Sequence, residues 1–126
     1  MSYKHTASQS VTSSSGAQAV GGSQNEVGSN EINIDTVFAA GSANVVMPIA
    51  FNFADLQSII LVSDKNMTIK FNNSGTGVPQ IDLIAGDPFV WRKSSGYFAN
   101  KFTANITTSF VTCTPAASLK GKILLT

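Results

Sequence analysis

The stretch "MTIKFNNSGTGVPQIDL" (67–83) decides the fold class. Met67, Ile69 and Phe71 alternate with Thr68 and Lys70, the two-residue period of a strand with one covered face and one wet face. Asn72 to Pro79 then supply two glycines and a proline, residues that turn a chain and end a strand. Beyond the turn, Ile81 and Leu83 resume the alternation around Asp82, so the stretch predicts a β-hairpin.

The same grammar extends outward. Upstream, "SIILV" (58–62) is a near-continuous apolar run suited to a strand covered on both faces, and Ser63-Asp64-Lys65-Asn66 ends it. Downstream, Gly86-Asp87-Pro88 breaks the chain before Phe89–Trp91, and "RKSSG" (92–96) turns it again. From Phe102 a long strand is predicted in which Ala104, Ile106, Thr108 and Phe110 share one face, followed by a last strand near Leu119–Leu125. On the N-terminal side Ile32 and Ile34 alternate with Asn33 and Asp35. The segment Asn44–Ile49 contains Pro48, which confines it to an edge or a strand end. Only "AFNFADLQ" (50–57) offers a helical turn. Short strands punctuated by turns at this spacing predict an all-β fold, a small antiparallel sandwich for which a jelly-roll order is expected.

Residues 1–30 do not share this pattern. They hold eight Ser and four Gly, and their formal charges are Lys4 and Glu26 alone. All eight Phe and the single Trp come later, in residues 31–126. Small polar side chains bury too little to offset the entropy of ordering, so the first 30 residues are expected to form a flexible, extended arm before one β-domain. Val11, Val20 and Val27 are the candidate apolar anchors by which such an arm would grip a partner.

Composition narrows the function classes. Charged residues make up 12% of the chain against about a quarter in ordinary globular proteins, and the net charge is +1. The lysines are scattered among turns and give no basic stripe, so neither nucleic acid nor an anionic membrane is an expected partner. A surface rich in Thr, Asn and Ser suits contact with other protein subunits. No apolar run approaches the ~18 residues of a membrane span, and Met1–His5 lead into polar sequence without a secretory core. Synthesis in the cytosol without ordinary export is the expectation.

Chemistry is sparse. The single histidine, His5, lies in the arm, where nothing local orients it as a base. Cys113 is alone, in the strand-like "VTCT" (111–114), and reads as a packing residue rather than a nucleophile or a metal ligand. Asp82 and Asp87 are the only pair that suggests calcium, and a Gly-Asp-Pro turn already gives Asp87 a backbone role. The "SGTG" (74–77) lacks the Lys-Ser/Thr of a phosphate loop. The Asn-x-Ser/Thr triplets at Asn66, Asn72 and Asn105 are expected by chance in so Asn-rich a chain. Trp91, with Arg92 and Tyr97 nearby, could form a stacking platform for a sugar or a base, although strand alternation turns Trp91 inward with Phe89. No catalytic residue, metal or cofactor is expected, and the chain does not read as an enzyme.

Over residues 56–126 the succession of "LQSIILV", "MTIKFN", "IDLIAGDPFVW", "FTANITTSFVT" and a short last strand resembles the small β-domain of accessory structural proteins in tailed bacteriophages. Leu83, Gly86, Pro88 and Trp91 carry the likeness. Head decoration or cement proteins and tail components are the groups it is similar to. The resemblance implies a jelly-roll or related sandwich, a homotrimer, and a place in the virion after synthesis in the host cytoplasm. Its partners would be the major capsid protein or other virion subunits, reached in part by an extended terminal arm. Two roles are compatible with it: cementing a capsid lattice, or binding a receptor or glycan at a tail through Trp91, Arg92 and Tyr97.

Overall fold

The computed structural model describes the backbone of residues 3–12, 19–93 and 102–126, and within these the side chains of residues 3–6, 27–93 and 102–126. The elements, in chain order, are β1 (Tyr3–Thr12), β2 (Ala19–Gly28), β3 (Asn30–Phe38), β4 (Ser42–Met47) and β5 (Leu56–Ser63). They are followed by β6 (Met67–Phe71), β7 (Gln80–Leu83), β8 (Phe89–Arg92), β9 (Ser109–Cys113) and β10 (Ala117–Leu125). A short 3₁₀ turn at Phe53–Asp55 is the helical element expected within "AFNFADLQ".

Strands β3 to β10 form two four-stranded antiparallel sheets, ordered β3-β10-β5-β8 and β4-β9-β6-β7, which pack as a sandwich. Their pairing is nested. β6 pairs with β7, β5 with β8, β4 with β9 and β3 with β10. From Asn30 to Leu125 the chain is thus one long hairpin, tipped by the turn at 72–79, whose two arms pass together from sheet to sheet.

Alternation explains which side chains fill the space between the sheets. Met67, Ile69 and Phe71 on β6 face Ile81 and Leu83 of β7 in the core, and Val111, Leu119 and Ile123 join them. Phe102 meets Phe51 and Phe71 edge to face, with ring centroids 5.6 and 4.8 Å apart, a favoured geometry for aromatic quadrupoles. Burying one such side chain contributes roughly 1.5–3 kcal/mol. At Gly121 the central strand β10 passes so close to β5 that a Cβ would lie 2.7 Å from the Ile60 carbonyl oxygen.

Two expectations need revision. The strand predicted from Phe102 to Phe110 is β9, at Ser109–Cys113. Asn72 fastens the segment before this strand, its Nδ2 donating to the Asn105 carbonyl (2.9 Å) and its Oδ1 accepting from the Thr107 N–H (2.7 Å). Ahead of β9, Ile106 pairs with Phe51 in an isolated antiparallel bridge. Strand β5 is not covered evenly on its outer face, since Ile60 is 37% exposed while Ser58 is buried. Within the expected arm at 1–30, Tyr3–Thr12 and Ala19–Gly28 pair as an antiparallel ribbon in unbroken register, from Tyr3↔Gly28 to Thr12↔Ala19.

Candidate functional site

The ribbon meets the sandwich on the outer face of the first sheet. Cross-strand registers place Arg92, Ser58, Leu124 and Glu31 in one row over β8, β5, β10 and β3. Alternation sends all four away from the core. Leu124 is nevertheless fully buried, because the ribbon lies over it. At Gly28 a Cβ would collide with the Leu125 carbonyl oxygen and the Leu124 side chain, so glycine permits the close approach. The adjacent Ser29 N–H donates to that same carbonyl at 2.9 Å.

His5, on β1, bridges this row. Its Nε2 lies 2.7 Å from Glu31 Oε2 and its Nδ1 lies 2.6 Å from Ser58 Oγ. An ionised carboxylate can only accept, which assigns the ring proton to Nε2. In the neutral ring Nδ1 then accepts from the Ser58 hydroxyl, and in the imidazolium it donates to the Ser58 oxygen. Both bonds survive either state of the ring. Lys122 Nζ approaches the other Glu31 oxygen at 3.6 Å. The Glu31 carboxyl, with its side chain 9% exposed, is held below the usual carboxylate range. The His5 hydrogen bond is the main cause, opposed by burial and reinforced by Asn33 and Lys122.

A hydroxyl, an imidazole and a carboxylate in series are the parts of an activated nucleophile. Here they are arranged for holding. Ser58 is 4% exposed beneath the ribbon, in a strand paired on both sides, so its own strand offers no spare N–H groups to a developing oxyanion. The arrangement is a clasp joining three elements that lie far apart in sequence.

The residues singled out from sequence fall elsewhere. Val11 and Val20 are direct cross-strand partners in the ribbon, and Val27 is 57% exposed near its base. Trp91 is 9% exposed and belongs to the core, Arg92 stands half-buried at the end of the clasp row, and Tyr97 lies outside the described residues. Cys113 is buried. Asp82 accepts from Thr68 and Gln80, each at 2.9 Å, and Asp87 lies in the turn where its N–H meets the Ile84 carbonyl. Asn66 caps the Ala85 N–H, as Asn72 and Asn105 cap neighbouring backbone. Among the described residues no three His, Cys, Asp or Glu gather as metal ligands, and no helix is long and apolar enough to cross a membrane.

The clasp itself escaped the sequence reading. His5 is 53 residues from Ser58 and 26 from Glu31, and no local motif joins them. The only trace is a serine within the apolar strand β5. No family model, curated protein or solved structure matches this chain.

Proposed function

We propose that this protein is a non-enzymatic structural component of a phage virion that binds and stabilises a capsid lattice as a cement or decoration protein. The observation that carries the reading is the ribbon, a long N-terminal appendage without charge from Ala7 to Asn25, clasped at its base to the sandwich. A lattice clamp requires many weak contacts and no chemistry, and each docked segment raises the effective concentration of the next. The nested strand order supports a jelly-roll reading of the sandwich, the architecture that the resemblance implies. Low charge suits protein subunits as partners, foremost a major capsid protein, and a homotrimer fits the lattice role.

The tail-associated glycan or receptor module is the second reading. It draws on Trp91, whose place in the core removes the open ring face that sugar stacking needs, so the first reading is favoured.

Co-sedimentation with expanded phage heads tests the proposal. The control replaces residues 8–23 with Asn-Gly, joining the cross-strand partners Ala7 and Gln24 through a two-residue turn and sparing the clasp. The full chain should bind heads, and the shortened chain should bind at least about tenfold more weakly, a difference of about 1.4 kcal/mol. Equal binding by the two would remove the ribbon from the function, and a full chain that ignores heads would remove the capsid.

A further inference from the structure

Exposed strand edges carry unpaired N–H and C=O groups, and proteins guard them with short strands, charge, proline or bulges. Each edge of the sandwich is guarded in this way. β3 carries Glu31 and Asp35, while β7 and β8 are only four residues long and carry Asp82 and Arg92. β4 is followed by Pro48, and its register shifts between Ser42 and Val45 around Asn44, whose φ is 50°.

Beyond Lys4 and Glu26 at its base, the ribbon lacks these devices. From Ala7 to Asn25 the sequence contains no charged residue and no proline. The ten pairs of β1 and β2 run in one-to-one register, and each strand has the other as its sheet neighbour. A lone two-stranded ribbon is marginal in water, whereas three or more strands can be stable. Among the described residues its anchorage lies at the open end, through His5, Gly28 and Ser29. We propose that the ribbon edge is a self-association surface: ribbons from separate copies of this chain pair edge to edge, continuing one antiparallel sheet between subunits. A second copy fits because the edge from Ala7 to Asn25 is uncharged and meets no like-charge repulsion from itself. Backbone bonding is then the source of affinity. This rests on and deepens the assembly reading above by placing the contact between copies at the ribbon edge.

Sedimentation equilibrium of the isolated full-length protein over a wide concentration range tests it. Two variants accompany the wild type: Gln9→Lys with Gln24→Lys, which puts one charge on each strand at positions that are not cross-strand partners, and the shortened ribbon described above. The wild type should associate, and both variants should associate at least about tenfold more weakly, with Trp91 emission unchanged. Amide exchange in residues 7–12 should slow with concentration in the wild type alone. A wild type that stays monomeric overturns the proposal, as does a shortened chain that associates like the wild type. Should the lysine variant lose the Trp91 signal, the shortened chain and the exchange data decide. A monomer that still binds phage heads would sink edge pairing and leave the capsid reading standing. A ribbon-paired oligomer that ignores heads would do the reverse.

Discussion

His5 shows how far one side chain's meaning depends on what the fold brings to it. In sequence it sits in a polar tract; in three dimensions it ties Ser58 to Glu31 at 2.6 and 2.7 Å. His5→Ala removes a bond to an ionised group and a neutral one, leaving both partners beneath the ribbon. Opening of the ribbon base should become easier by about 2–3 kcal/mol, read as faster amide exchange in residues 3–6 with the sandwich core little changed. Acid acts on the same clasp through Glu31. Its folded pKa is lowered, so its stabilisation is complete above the unfolded carboxyl's range and is lost as pH falls through the folded value. Ribbon exchange should therefore accelerate below about pH 4, and Glu31→Gln should abolish that dependence. The groups facing Glu31 in this window are His5, Lys122 and Asn33, and the clasp geometry accommodates either state of the imidazole. None of this was legible in the sequence, because ring nitrogens find partners by tertiary approach and not by spacing. Gly121 was equally silent. Gly121→Ala should cost about 1–3 kcal/mol in denaturant unfolding, because the new Cβ meets backbone that cannot step aside.

Elements were legible in proportion to the cleanness of their alternation. The hairpin of β6 and β7 could be read from Met67, Ile69, Phe71, Ile81 and Leu83, all of which reach the core. Pro48 correctly marked the end of β4, an edge strand. The segment 102–110 misled because Ile106 and Phe102 are buried without belonging to a strand, so burial imitated periodicity. Asn72 fastens that segment, with a φ of 69° that most side chains resist and hydrogen bonds to both Asn105 and Thr107. Asn72→Ala should lower stability by about 2 kcal/mol, and Asn72→Gly by less, since glycine restores the backbone freedom but not the bonds. Thermal unfolding of the two variants side by side separates these contributions. The ribbon went unread for a different reason. Its pairing is backbone to backbone, and Ser- and Gly-rich sequence leaves little side-chain pattern to record it.

For the whole molecule, class was legible and pairing was not. Turn signals count strands, but only tertiary packing tells the first sandwich strand to seek the last. β10 lies between β3 and β5, and each turn of the chain back on itself is enclosed by the next pair outward. Removing residues 119–126 should accordingly unfold the entire sandwich rather than fray one end, seen as loss of near-UV circular dichroism. Folding should be slow for the size, on the millisecond-to-second scale typical of non-local β pairing, because the outermost pair closes across almost the whole domain.

Nesting also fixes how the molecule bears a load. The start of β3 and the end of β10 are neighbours, Asn30 opposite Leu125, and antiparallel hydrogen bonds run perpendicular to their strands. Tension between the ribbon and the C-terminus therefore peels that pair apart rung by rung. A force applied between the ribbon and a cargo fused after Thr126 would act along this unzipping axis.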